Sequence, residues 1–379
     1  MKYRKFGTMD WEVSVLAFGL AGLPLLKAGR IDEAPSIAMI RYAIDHGVNY
    51  IDLGYPYQEE AHEERMRVLS LALRDGYRQK VRIASIIPAR LIGSREDFDR
   101  RLDAYLRRLI GNGLDFCLLG GLTRDNWPAL RELGVLEAAD RAKADGRISG
   151  IGFSFHDHYH VLKEILDAYD GWSLCQFQYS YMDIAHDPGV SGLKLAAERG
   201  PAVVVSEALR HGRLTRGLPP SVADLWSTAA GRRTLAEWGL TFVWSVPEVS
   251  TVVCDMSTMD DVAEDVALAD RAEPECLTVQ EEVLVSRVRE AYRTLRPVNC
   301  PSCRACMPCP QGIDVPRIFE IYNDAFMHGD VALGRSIYRN EGHDAGACTK
   351  CGTCESRCAR QLPMLHWLEK AHQLLGCSE

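Results

Sequence analysis

The chain has 379 residues, 47% hydrophobic and 25% charged, with a formal net charge of −8. That length suggests two domains, and the acidic balance argues against nucleic acid or an anionic membrane surface as a partner. No run reaches the ~18 apolar residues of a membrane-spanning helix. The N-terminal stretch lacks an apolar signal core with a cleavage site, so the expected location is cytoplasmic.

From residue 13 to about 268, short β-rich runs alternate with amphipathic helical stretches. Strands are predicted at 13–19 (VSVLAFG), 49–55 (NYIDLGY), 81–87 (VRIASII) and 114–121 (LDFCLLGG). Four more are predicted at 148–154 (ISGIGFS), 174–180 (LCQFQYS), 202–209 (AVVVSEAL) and 249–256 (VSTVVCDM). Helical patterns between them include 34–47, 96–111 and 126–146, the last two ending at Gly111 and Gly146, as helix C-termini commonly do. Near-continuous apolar strands separated by helices imply parallel pairing with both faces buried, and eight of them fit an α/β fold, the (β/α)8 barrel. An open doubly wound sheet is the alternative.

The composition changes at 271–278 (RAEPECLT), after which a helical pattern over 279–295 leads into cysteine-rich sequence. Two domains are therefore expected, a barrel over 1–275 and a mostly helical ferredoxin-like domain over 276–379.

Eight of the thirteen cysteines lie in two runs. The first is Cys300, Cys303, Cys306 and Cys309, followed by Pro310; the second is Cys348, Cys351, Cys354 and Cys358. The second has the bacterial ferredoxin spacing apart from its final proline. A structural zinc site would use two separated C-x2-C pairs. Eight thiolates in two runs of four fit two [4Fe–4S] clusters better. In two-cluster ferredoxins the fourth cysteine of each run ligates the other cluster. That rule groups Cys300, Cys303, Cys306 and Cys358, and separately Cys348, Cys351, Cys354 and Cys309. Residues 316–340 between the runs read as helix, turn, helix, with Phe319, Tyr322 and Tyr338 expected to pack around the clusters. The other five cysteines are scattered, and Cys117, Cys175 and Cys254, in predicted strands, read as buried inert thiols.

In an α/β barrel, chemistry belongs at the C-terminal ends of the strands. NYIDLGYPY, ISGIGFSFHD, CQFQYSYMD, SEALRHGRL and PEVSTVVCDMSTMDDVAEDV stand at such ends, and CPSCRACMPCPQGIDVPRIFEIYN carries the first cysteine run. Together these resemble the aldo-keto reductase family, in its subgroup with a C-terminal ferredoxin domain. The resemblance implies NADPH-dependent carbonyl reduction by an Asp, Tyr, Lys and His tetrad. The tyrosine would be the acid, and with an ordinary pKa of about 10 it needs a lysine cation beside it.

Asp52 and Tyr57 match that pattern; Ile86 stands at the lysine position and Gly120 at the histidine position. Losing both groups predicts severely impaired ordinary carbonyl reduction. Asp52 then lacks its usual cation and is expected to favour protonation unless Arg90 or another cation replaces it. Gly120 is expected to leave room for a different substrate. By the resemblance, Ser154 and Gln176 match positions that hold the nicotinamide carboxamide; Arg210, His211 and Arg213 are candidates to meet an anion, with solvated surface arginines as the equal alternative. The loop with Ser257 matches the pyrophosphate cradle, but Asp255 replaces its glycine and sets a carboxylate where phosphates would lie. The pair expected near the adenosine end reads Glu264–Asp265. His156 is a candidate proton donor, with His158 and His160 as neighbours in a weak metal pattern. Tyr55 is expected to pack, and Glu207 to act as a buried carboxylate or to pair with an arginine.

The expected function is an iron–sulfur oxidoreductase relaying electrons through two [4Fe–4S] clusters to or from a small-molecule substrate at the barrel mouth. Tyr57, Asp52 and His156 would be catalytic, and a redox protein would donate or accept electrons. NADP(H) binding is left open. The alternatives are an NADPH-dependent aldehyde or ketone reductase with substitute groups, or a non-catalytic electron-transfer partner.

Overall fold

The computed structural model describes all residues except 28, 110–112, 185–187, 230, 232 and 377–379. The chain divides into two compact units, Met1–Leu214 with Arg233–Thr278, and Thr215–Arg232 with Val279–Glu379.

In the first unit, β1 (Tyr3–Lys5) and β2 (Glu12–Ser14) form an antiparallel hairpin. The next eight strands are β3 (Leu16–Gly19), β4 (Tyr50–Asp52), β5 (Arg82–Pro88), β6 (Phe116–Leu122), β7 (Gly150–Phe155), β8 (Trp172–Gln178), β9 (Ala202–Ser206) and β10 (Val249–Asp255). They pair in sequence order into a closed parallel barrel, with β10 against β3. All eight predicted strands are present, and the first predicted run is shared between β2 and β3. The helical pattern at 126–146 is two helices, Trp127–Glu132 and Val135–Ala144, divided by Gly134 in the left-handed region. Gly146 follows the second with φ +72°, as the sequence suggests; Gly111 lies outside the described residues.

The apolar runs bury both faces. Between strands and helices lies one large core that includes Ile40, Ile51, Leu69, Leu119, Phe153 and Phe177. Inside the barrel Ala17, Tyr50, Ala84, Phe116, Leu118, Leu174 and Val204 pack together. Residues of the hairpin unit close the lower end: Phe6 lies 5.0 Å from both Trp11 and Phe116 and 5.7 Å from Tyr50, between ring centroids. The barrel is thus a packed core with its functional end at the strand C-termini.

Register sets what that end presents. Asp255 pairs with Gly19, and Gly19 with Asp52, so two carboxylates and a glycine stand level on β10, β3 and β4. Ser154 pairs with Gln176 on β7 and β8, beyond β9 from β10.

The second unit is helical, with helices at Val279–Thr294, Val315–His328, Val331–Asn340 and Met364–Leu375. The turn between the middle two is Gly329–Asp330, with Asp330 accepting from the Leu333 amide as the N-cap. Helix Pro220–Ser227, inserted between β9 and β10 in sequence, groups with this unit and packs on Val279–Thr294. Phe319, Tyr322 and Tyr338 are buried in its core, which also includes Cys306 and Cys354. Among the described residues no helix is long and apolar enough to cross a membrane.

Candidate functional site

Asp52 ends β4 and is 1% exposed. Its Oδ1 accepts from the Gly54 amide at 2.6 Å, while Oδ2 has no hydrogen-bond partner among the described residues. Burial pushes the carboxyl up to about 6, with Asp255 adding to the rise and Gln176 and Arg65 opposing it. The rise lies in the direction expected for a carboxylate without its usual cation, yet the exception that expectation allowed, another cation, is present. The cation beside it is Arg65, from helix Glu59–Ala72, whose Nη1 also donates to the Leu53 carbonyl at 2.8 Å. Arg90 is exposed on a short 3-10 turn instead.

Asp255 reaches this neighbourhood because Gly19 and Gly22 have no side chains. A Cβ on Gly19 would meet Asp255 Oδ1 at 2.3 Å, and one on Gly22 would meet the Asp255 backbone at 2.8 Å. Asp255 Oδ1 accepts from the Ala21 amide at 3.2 Å. The residue is exposed to solvent yet ringed by protein, and this setting raises its carboxyl while His211 draws it down.

Ile86 and Gly120 fit each other. A Cβ on Gly120 would stand 2.3 Å from Ile86 Cγ2 and 3.1 Å from Tyr55 Cε2. Ile86 is 3% exposed. Gly120 therefore does not leave room for a different substrate, because the isoleucine and Tyr55 already fill that space. Tyr55 packs as expected, its ring 4.7 Å from that of Tyr57. Tyr57 itself is 61% exposed, on the loop after β4.

On β7 and β8, Ser154 Oγ accepts from the Gly121 amide at 2.8 Å, and Gln176 is buried with Oε1 unpartnered among the described residues. After β9 the chain places Glu207, Arg210 and His211 in the left-handed region, with φ of 57°, 48° and 56°. His211 Nε2 lies 3.3 Å from Glu207 Oε1, which also accepts from Gln178 Nε2. Burial would raise Glu207, but His211, with His156 and Arg210 behind it, outweighs this and holds the carboxyl down to about 2. Glu207 raises His211 in return. Of the two expectations for Glu207, a buried carboxylate or pairing with an arginine, the pairing is made with a histidine instead. Arg210 is clasped by Asp183, at 2.9 Å and 3.2 Å, and Arg213 Nε donates to the Arg210 carbonyl.

His156 is exposed at the end of β7. The adjacent Asp157 is buried and accepts from the Arg124 amide, the Arg124 guanidinium and the His158 amide. That anchoring residue had no distinctive sequence signal. Among the described residues no three His, Cys, Asp or Glu side chains stand close enough to hold a single metal ion.

Ser257 and Thr258 direct their amides, and Ser257 its hydroxyl, onto Asp261 Oδ2 at 2.9–3.1 Å. This capping arrangement starts helix Met259–Ala269. Asp265 is buried beside Cys254, and burial raises it to about 7, whereas Glu264 is exposed and accepts from Thr234. Cys117, Cys175 and Cys254 are buried, and burial pushes each thiol up, Cys117 to about 12. They are the inert thiols expected; Cys377 lies outside the described residues.

In the second unit the two cysteine runs share a backbone form. Ser302 and Arg304 flank Cys303 with φ of 54° and 57°, and Lys350 and Gly352 flank Cys351 with φ of 55° and 74°. Such left-handed turns direct successive amides into a concavity that suits an anionic group. Lys350 N–H points to Cys348 Sγ at 3.4 Å. Cys309 of the first run lines one cavity with Cys348, Cys351 and Cys354 of the second, Cys306 also touching it. Burial raises the Cys300 thiol, with Glu320, Cys303 and Cys358 adding to the rise, and burial raises Cys306, with Cys300, Cys354 and Cys303 adding. Arg360 Nη1 donates to Asn299 Oδ1 at 2.9 Å, drawing the end of the second run to the start of the first.

Compared with known protein families, residues 15–273 match the model described as "Aldo/keto reductase family". The chain belongs to the aldo/keto reductase family. Residues 299–362 match a "4Fe-4S dicluster domain". The barrel is similar to aldo-keto reductase AKR11C1 of Bacillus halodurans in its holo form. That match has 25% identity and a TM-score of 0.63, covering 76% of this chain and 96% of that one. It also resembles in fold an aldo/keto reductase of Klebsiella pneumoniae solved in complex with NADP and acetate. Here identity is 23% and the TM-score 0.58, over 73% of this chain and 92% of that one. A curated relative, "Probable aldo-keto reductase 1" of Glycine max, is 33% identical over 81 residues, which are 21% of this chain and 22% of that relative. The barrel thus has an oxidoreductase fold and is followed by an iron–sulfur domain.

The residues test each cofactor differently. Gln176 Oε1, buried and unpartnered, suits a carboxamide N–H donor. The remainder of a dinucleotide fits poorly: Asp255 sits against Gly19 and Gly22, and the Ser257 and Thr258 amides already serve Asp261. The cysteine loops repeat a left-handed backbone form, and Cys306, Cys309, Cys348, Cys351 and Cys354 line one cavity, which fits iron–sulfur ligation.

Proposed function

We propose that this chain is an iron–sulfur oxidoreductase that exchanges single electrons with a small molecule at the barrel mouth, without hydride transfer from a bound dinucleotide. The observation that supports this reading is the matched left-handed geometry around Cys303 and Cys351, which repeats one backbone form in both cysteine runs. Cys300, Cys303, Cys306 and Cys358 would hold one [4Fe–4S] cluster, and Cys348, Cys351, Cys354 and Cys309 the other. Bound there, the clusters supply one-electron chemistry.

The mouth residues would manage protons and position. Asp52, raised to about 6, can give or take a proton near neutrality, and Arg65 moderates its charge. Tyr57 offers an exposed phenol at the rim, and His156 faces the field of Glu207. Ser154 and Gln176 would orient a polar ligand. Arg213 and Ser257 are weaker candidates, since each already binds the protein itself.

Anaerobic purification with iron counting and titration calorimetry with NADPH tests this reading. Two clusters and no tight NADPH binding are expected. A second reading, an NADPH-dependent aldehyde or ketone reductase, draws on the unpartnered Gln176 Oε1. Tight NADPH binding with hydride transfer to a simple aldehyde would favour it.

A further inference from the structure

The two cysteine runs share a backbone but differ in their hydroxyls. Aligned from their first cysteines, they read CPSCRAC over 300–306 and CTKCGTC over 348–354. Ser302 and Arg304 have φ of 54° and 57°, and Lys350 and Gly352 have 55° and 74°. The Ser302 amide serves Cys300 as the Lys350 amide serves Cys348, at 3.4 Å. Exposure is matched as well: Cys303 and Cys351 are exposed, Cys306 and Cys354 buried.

Cys351 has a hydroxyl partner that the first run does not repeat. Thr353 Oγ1 stands 3.4 Å from Cys351 Sγ, and Ala305 occupies the matching place in the first run. Thr349, opposite Pro301, adds a smaller contribution at the same sulfur. The one hydroxyl between Cys300 and Cys306 is that of Ser302, which stands opposite Lys350 instead. A neutral thiol can donate to the Thr353 oxygen; a thiolate bound to iron has no proton, so the hydroxyl then becomes the donor. Hydrogen bonds to cluster sulfurs, together with net charge and exposure, set a cluster's reduction potential. A donor there favours the reduced state, which carries the extra negative charge.

We propose that the Thr353 hydroxyl sets the reduction potential of the cluster that Cys351 would ligate, raising it above that of a loop without this donor. The inference rests on the iron–sulfur reading above. Charges near the runs also bear on potential. Arg304 pairs with Asp314, Lys350 with Glu369, and Arg317 with Glu320 and Glu341. Glu355 accepts from the Leu365 amide, while Arg357 and Arg360 reach Met307 and Asn299. A substitution at 353 leaves all of these in place, so the share due to the hydroxyl is read within one cluster.

The test uses the anaerobically purified full chain, with iron counted in every variant and the clusters titrated by potential under electron paramagnetic resonance. Thr353→Val should lower one reduction step, its reduced-to-oxidised ratio at a fixed potential falling about tenfold, or ~59 mV for one electron. The other step should stay within about twofold. Thr353→Ser, which keeps the hydroxyl, should stay within about threefold of the wild type. Ala305→Thr should raise the other step, because its place in the repeated backbone form matches that of Thr353. With full iron, unmoved steps in Thr353→Val, an equal fall in Thr353→Ser, or both loops' variants moving the same step would overturn the proposal. Loss of iron in Thr353→Val would make the hydroxyl a structural tie and would also reject it. Absence of iron from the wild type would instead overturn the iron–sulfur reading.

Discussion

Ile86 Cγ2 stands 2.3 Å from the place a Cβ on Gly120 would occupy, so the isoleucine side chain fills the space that the glycine leaves empty. Ile86 and Gly120, where the resemblance puts the family's lysine and histidine, stand on neighbouring strands β5 and β6, two residues apart in register. Two substitutions that read in sequence as separate losses are one packing unit.

That unit predicts non-additive mutations. Gly120→Ala alone should destabilise the barrel by about 1–3 kcal/mol through overpacking, and Ile86→Ala alone by about 2–5 kcal/mol through the cavity it leaves. The double variant should be less destabilised than their sum, because each change relieves the other. Denaturant unfolding of the four proteins measures the coupling; simple additivity would show that the two side chains do not compete.

Asp52 predicts a stability gain from losing a functional group. Its folded pKa, about 6, lies above its ordinary 3.8. Its favourable contribution is therefore complete below about 3.8 and is lost as pH rises through about 6. Asp52→Asn should raise stability at pH 8 relative to the parent, by up to about 3 kcal/mol, and change little near pH 4. Thermal melts at the two pH values check this, and a gain of equal size at both would contradict it.

His62 predicts an acid-side weakness. It is 1% exposed, with Nε2 at 3.3 Å from Ser85 Oγ, and burial lowers it to about 3 from 6.5. The unfolded chain takes up that proton first, so stability falls as pH drops from about 6.5 towards 3, at about 1.4 kcal/mol per pH unit. His62→Gln should reduce the acid-side slope by up to one proton, read from denaturant midpoints between pH 7 and 4.

Much of the fold was legible because parallel strands buried on both faces are near-continuous apolar runs. The β1–β2 hairpin was not, since KYRK and WEVS are short and polar until Phe6 and Trp11 meet Phe116 across the barrel. The Asp255 substitution was visible, but its accommodation by Gly19 depends on β10–β3 register, which a linear pattern does not carry. Arg65 lay hidden in a charged helical run, EEAHEERMRV, where nothing marks which cation turns inward. In the iron–sulfur unit the spacing indicated ligands, yet Ser302, Arg304 and Lys350 give no sign of their left-handed backbone.

Asp255 predicts a gain of cofactor affinity. Asp255→Gly removes a carboxylate from where the family resemblance would put a dinucleotide's phosphates, and NADPH affinity should rise by about tenfold or more. Calorimetry at pH 8 reads the change. Unaltered affinity would mean that the Ser257 and Thr258 amides, held by Asp261, set the limit instead.

The central claim is that the two cysteine runs hold two [4Fe–4S] clusters. Anaerobic iron and sulfide counting with electron paramagnetic resonance of the reduced protein tests it most directly. About eight irons per chain, a reduced-cluster signal, and loss of about half the iron in Cys309→Ala are the predicted results. Two zinc ions and no iron would contradict it.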